Sequence, residues 1–173
     1  DIEIGGTNTL KDSNNFDRQG AYLGAKITVL NNYNVPEWSS TDATLLTITG
    51  GSHVLKSTPQ IPTEVDTKYV FSFWIKNEGE SSVRVKLNGF TTSNSNRSFT
   101  IEAGFSGRVW AQGLSRSNPY PSFQFQLWAN EVTDTIKVAL WRMQLEKGNK
   151  VTDWSKASKD IEDAIAVNTA SIS

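Results

Sequence analysis

Lys68-Tyr-Val-Phe-Ser-Phe-Trp-Ile-Lys76 puts Phe71, Phe73 and Ile75 on one side of an extended chain and Ser72, Trp74 and Lys76 on the other. Side chains alternate across a strand, so this spacing predicts a β-strand with one buried face. The same period of two recurs in Ser82-Val-Arg-Val-Lys-Leu-Asn88, Arg108-Val-Trp-Ala-Gln112 and Ser122-Phe-Gln-Phe-Gln-Leu-Trp128. Four such segments argue for antiparallel sheet. Residues 44–49, 98–102 and 135–146 add further strands. In the last of these, Ile136, Val138 and Leu140 give way to Trp141, Met143 and Leu145. Either both faces are buried there or a bulge resets the register near Leu140.

Turn residues separate the runs: Gly50-Gly51, Asn77-Glu-Gly79, Asn88-Gly89, residues 92–96 and Asn118-Pro-Tyr-Pro121. Each supplies a left-handed φ, a preset φ or a side chain that bonds its own backbone. Closely spaced strands with no helical pattern between them predict an all-β, jelly-roll β-sandwich. The sandwich is expected over residues 1–155. From 156 to 173 the pattern is helical, with Ser158 as N-cap and Asp160, Glu162 and Asp163 in the first turns, where the helix dipole favours acids. Ile161, Ala164, Ile165, Asn168 and Ile172 form a narrow stripe. It reads as the start of a coiled coil cut short, or as a short C-terminal helix docked on the sandwich.

Seventeen basic against eighteen acidic residues leave a net charge of −1. That balance cannot neutralise a phosphate backbone, so nucleic acid is not an expected partner. The absence of cysteine excludes disulfides, thiolate metal sites and a Cys nucleophile. No apolar run approaches the roughly 20 residues a membrane-spanning helix needs. The opening DIEIGGTNTL lacks the basic and apolar regions of a signal peptide, and the chain begins without Met. An extracellular site of action would therefore be reached by a route other than its own signal.

Catalysis has little to build on. His53 is the single histidine, in a turn entering a strand, and no Gly-rich phosphate loop or HExxH motif occurs. Two carboxylates suffice for glycoside hydrolysis, but the acids cluster in turns and at the C-terminus rather than on strands. A polysaccharide depolymerase ranks behind two non-catalytic readings, saccharide adhesion and structural spacing.

Sugar binding needs other chemistry: an aromatic ring against the C–H face of a pyranose, and amide or guanidinium groups against its hydroxyls. The polar side of the alternating strands supplies both. Ser72, Trp74, Lys76, Arg84, Lys86, Asn88, Arg108, Trp110, Gln112, Gln124, Gln126 and Trp128 are expected on one sheet face, where an exposed indole would be unusual without a ligand. Trp110 and Trp128 are the favoured platforms, with Gln124 and Gln126 beside them and Trp74 third. Burial under loops is the competing fate of each indole. A runner-up site is the loop rim, where Tyr33, Trp38, Arg116, Asn118 and Tyr120 lie beside prolines that stiffen the backbone.

Three segments, in order, carry a family resemblance. Ile4-Gly-Gly-Thr-Asn-Thr-Leu-Lys-Asp-Ser-Asn14 resembles a "GGxNLLxNSxF" opening, and Tyr69-Val-Phe-Ser-Phe-Trp-Ile75 a "YTFSFWVK" strand. Trp141-Arg-Met-Gln-Leu-Glu-Lys-Gly-Asn-Lys-Val-Thr-Asp-Trp-Ser155 resembles a "QLEKGxxATxWxPAPED" close. This is the pattern of carbohydrate-binding-like modules in tail and baseplate proteins of phages that infect Gram-positive bacteria. Thr9 departs from it, as does Lys156-Ala-Ser-Lys-Asp160 in place of the proline-containing close. The resemblance implies a jelly-roll module in the virion, acting at the host surface. Its partners would be wall or surface polysaccharide and other tail or baseplate proteins, often through a trimeric connector. It also implies that Trp154 folds back on the sandwich and that Trp141 is structural. A structural calcium between the chain ends, held by Glu146 with Asn14 or Asp17, belongs to the same expectation; no other cofactor does.

Overall fold

The computed structural model describes residues 21–22, 26–49, 54–57, 61–91, 96–115, 122–129, 131 and 135–154. In chain order the strands are β1 (Ala21–Tyr22), β2 (Lys26–Val35), β3 (Ser40–Thr49), β4 (Val54–Ser57), β5 (Ile61–Pro62) and β6 (Lys68–Asn77). They continue with β7 (Val83–Asn88), β8 (Phe90–Thr91), β9 (Asn96–Ile101), β10 (Ser106–Ser115), β11 (Ser122–Ala129) and β12 (Thr135–Lys147). Among the described residues the one helical element is a 3-10 turn, Pro36–Trp38. The expected C-terminal helix and the proposed boundary at residue 155 lie outside the described residues.

The strands form two six-stranded antiparallel sheets. The first runs β2-β3-β12-β6-β10-β8; the second runs β1-β4-β11-β7-β9, with β5 also paired to β11. Apolar residues of alternating strands meet between them. Phe71 and Phe73 of the first sheet pack on Phe123 and Phe125 of the second, with ring centroids 4.8 Å apart for Phe71–Phe123 and 5.3 Å for Phe73–Phe125. Leu46, Ile48, Ile75, Val83, Val85, Leu87 and Leu127 complete the buried layer. Each such side chain contributes about 1.5–3 kcal/mol of transfer free energy, offset by chain ordering.

At the centre of the first sheet β12 is buried on both faces and also carries a bulge, so both sequence alternatives hold there. Its register on β6 shifts between Trp141 and Gln144, with Arg142 in the left-handed region at φ 48°. One extra residue returns Met143 and Leu145 to the core while Trp141 stays outside.

A second apolar cluster forms on the outer side of this sheet from Val35, Trp38, Ala43, Leu45, Ala139 and Trp141. The 3-10 turn begins at Pro36, which presets φ, and ends at Ser39 with φ 53°. It folds Trp38 back so that its ring lies parallel to Trp141, centroids 6.0 Å apart. Beyond this cluster the closing residues 148–154 cross the same face.

Candidate functional site

The two outward faces differ in what covers them. On the first sheet, Trp74 is half-buried between Trp38 at 5.7 Å and Trp141 at 5.8 Å. Indole nitrogens are satisfied internally: Trp38 donates to Ser106 Oγ at 3.1 Å and Trp141 to Asp42 Oδ1 at 2.8 Å. Lys76 bridges Glu37 and Glu78, and the Tyr33 hydroxyl donates to the Glu78 carboxylate. That hydrogen bond, with burial, raises the Tyr33 phenol above its usual range.

Further along this face, residues 148–154 form a strap over part of the sheet, while Trp110 and Gln112 on β10 stay exposed. Trp154 Nε1 donates to the Met143 carbonyl at 3.1 Å, and the Arg142 guanidinium stacks on both Trp141 and Trp154. Trp154 thus folds back as the closing motif implied. Glu146 is fully buried and accepts from Gln144 Nε2 at 2.5 Å and Thr152 Oγ1 at 2.8 Å. Arg108 donates to Ser72 Oγ and to the Thr152 carbonyl. Burial lowers the Arg108 pKa, and the charges of Glu146 and Asp153 oppose that shift.

This arrangement does not fit the expected calcium at Glu146. Both of its oxygens face hydrogen-bond donors, whereas Ca²⁺ requires six to eight oxygen ligands. Asn14 and Asp17 lie outside the described residues. Among the described residues no group of three or more His, Cys, Asp or Glu is placed to hold a metal.

On the second sheet the outward side chains remain partly open. Burial along β11 and β7 alternates strictly, with Gln124, Gln126, Trp128, Arg84, Lys86 and Asn88 each partly exposed. Register places Gln124 opposite Asn88, Gln126 opposite Lys86 and Trp128 opposite Arg84. On the next strand Ser98 faces Lys86 and Thr100 faces Arg84. Strands 4.7–4.9 Å apart, with outward residues about 6.8 Å apart along each, make this a continuous grid. Trp128 Nε1 donates to Gln126 Oε1 at 3.1 Å, and Gln126 Nε2 donates to Gln124 Oε1 at 3.2 Å. Lys86 Nζ stands 3.6 Å from the centre of the Trp128 ring.

An indole, a chain of amides and two cations on one plane can receive a sugar ring and its hydroxyls once the Lys86 ammonium swings off the Trp128 ring. The bonds between Gln124, Gln126 and Trp128 hold the amides in position, which reduces what binding must order. No outward residue of β7, β9 or β11 is a carboxylate. Among the described residues, these three strands therefore supply no acid pair for glycoside hydrolysis.

The expected single face of tryptophans is corrected here. Trp74 and Trp110 belong to the first sheet and Trp128, with Gln124 and Gln126, to the second, so the three indoles lie on opposite surfaces. Trp38, expected on an accessible loop rim, is only 7% exposed. Tyr33 ends in a strand rather than a loop. Arg116, Asn118 and Tyr120 lie outside the described residues. Trp110 is 51% exposed. Ser98 and Thr100 were not singled out by sequence, although the alternation of β9 carries their signal.

No protein-family model and no curated protein matches the chain. Solved structures do. The C-terminal family 22 carbohydrate-binding module of Clostridium thermocellum Xyn10B is 14% identical, with a TM-score of 0.56 over 87% of this chain and 95% of that one. The module TmCBM61, solved with β-1,4-galactotriose, is 12% identical at a TM-score of 0.51, covering 81% and 98%. Tailspike protein 4 of bacteriophage CBA120, in its enzymatically active domain, is 10% identical at a TM-score of 0.55 over 82% of this chain. The chain spans about a fifth of that protein, 21%. These likenesses establish a fold class: a jelly-roll β-sandwich of the kind found in carbohydrate-binding modules.

Proposed function

We propose that the chain is a non-catalytic saccharide-binding module of a phage tail or baseplate protein, acting at the surface of a Gram-positive host. The observation that carries this reading is the outward face of β7 and β11. There Trp128 and the Gln124–Gln126 pair remain partly exposed beside Arg84, Lys86 and Asn88, while the opposite sheet is mostly sealed. The fold shared with carbohydrate-binding modules supports saccharide binding in general. The opening and closing motifs support the tail assignment, and the tailspike likeness is consistent with it in fold. Each copy would bind weakly, with avidity supplied by many copies on one virion. Other tail proteins, and a homotrimer built through residues 156–173, would present it.

Affinity electrophoresis in gels containing soluble xylan, β-1,4-galactan or purified Gram-positive wall polysaccharide tests the binding. Retardation of the parent by one of these, weakened by Trp128→Ala and Gln126→Ala, is expected. A fluorescent multivalent display of the chain should also label Gram-positive cells and lose them once wall polysaccharide is stripped. Mobility unchanged in all three gels, with no cell labelling, would assign the chain to spacing or attachment within a tail.

A further inference from the structure

We infer that Trp110 forms a second saccharide platform on the surface opposite Trp128, so that one module holds two glycan chains at once. This rests on the saccharide reading of the β7–β11 face and extends it to a face that reading does not use. Trp110 lies on the outward side of β10, across from Ser72. It is 51% exposed, whereas Trp38 and Trp141 over the same face are 7% exposed. β8 pairs with β10 only at Leu114 and Ser115, so among the described residues the ring stands at an open sheet margin.

Its outward neighbours along β10 are polar. Arg108, two residues before it, is held by Ser72 Oγ and the Thr152 carbonyl. Gln112, two residues after it, is exposed, as is Asp153 near Arg108. Directly across the sheet lie Ser72 and Gln144, and the diagonal neighbours on β6 are Val70, which is buried, and Trp74, which packs into the Trp38–Trp141 cluster. A protein-docking centre would set its aromatic among apolar neighbours that exclude water. An indole half in solvent, with an immobilised guanidinium and an exposed amide two residues to either side on its strand, instead suits one pyranose, stacked on its C–H face and bonded at its hydroxyls. The sheets pack about 10 Å apart and the two rings point away from each other, so one short oligosaccharide cannot span both. Two chains are required.

The experiment combines the chain with soluble xylan, β-1,4-galactan and purified Gram-positive wall polysaccharide, following turbidity together with binding stoichiometry on short fragments of each. The parent should clarify at low and high protein ratios and cloud between them, with two fragments bound per chain. Trp110→Ala and Trp128→Ala should each bind one fragment per chain and cloud less than the parent at matched protein ratio. Sedimentation velocity without saccharide should be the same for all three. Unchanged stoichiometry and turbidity in Trp110→Ala, with loss in Trp128→Ala, overturns the second platform and leaves the first standing. A parent that self-associates while Trp110→Ala does not would make Trp110 a protein contact and overturn the inference. Interaction with none of the three polysaccharides overturns both readings.

Discussion

Arg108 donates through Nη2 to the backbone carbonyl of Thr152, forty-four residues further along the chain. This bond ties the closing strap across the outer face of the first sheet, and Glu146 secures it from beneath by accepting from Thr152 and Gln144. Glu146→Ala should remove the acceptor shared by Gln144 and Thr152 and a buried charge facing Arg108. A loss of roughly 3 kcal/mol is expected, read as a lower urea midpoint at constant m. A shift corresponding to less than 1 kcal/mol would mean the strap is not anchored through this carboxylate.

The stacked pair Trp38–Trp141 is the centre of the second apolar cluster. Trp141→Ala should lower stability by about 3–5 kcal/mol through cavity formation. Polysaccharide retention per folded molecule should be unchanged, because this indole is covered. Selective loss of retention in a folded Trp141 variant would contradict the assignment of sites.

Trp128→Ala should weaken saccharide retention on the β7–β11 face by about tenfold, the effect of losing a stacked ring worth roughly 1.4 kcal/mol. Gln126→Ala should have a smaller effect in the same direction, since it removes one hydrogen-bonding neighbour. Affinity electrophoresis at several polysaccharide concentrations gives both values. Full retention in the two variants would relocate binding.

Gly89 has φ 108°, and a Cβ there would meet the Ser122 carbonyl oxygen at 1.9 Å. Neither the backbone angle nor the space admits a side chain. Gly89→Ala should therefore cost roughly 3 kcal/mol or more, combining left-handed strain with displacement of the start of β11. Thermal denaturation is the check, and a melting temperature within a degree or two of the parent would refute the close packing.

The Tyr33 hydroxyl is bonded to Glu78, and its pKa is raised in the folded state. A group with a raised folded pKa contributes stability that is fully present below its unfolded value, about 10 for tyrosine, and is lost as pH rises through the folded value. The stability difference between the parent and Tyr33→Phe should be flat from pH 7 to about 9.5 and then shrink. Urea titrations across that range measure it. A difference that grows with pH would reverse the sign of the coupling.

Much of the sandwich was legible because alternation is local. Phe71, Phe73 and Ile75, or Phe123, Phe125 and Leu127, announce a buried side without reference to any other strand. Asn88-Gly89 similarly announced a turn that only glycine can make. The segment from Tyr33 to Trp38 was harder. Its proline and aromatics suggested an exposed loop, yet Trp38 is buried because Trp141, about a hundred residues away, offers a parallel indole on which to stack. That signal is not local to either residue.

For this protein, the order of apolar and polar residues by itself determined the strands, the side of each that faces inward, and the kinds of group left outside. Only the tertiary structure decided which strands share a sheet. Period two says which side of a strand is polar but carries no information about its neighbours, since antiparallel pairing is made through backbone groups common to every residue. That choice set Trp74 beneath Trp38 and Trp141, left Trp110 open at a margin, and placed Trp128 among glutamines on the opposite surface.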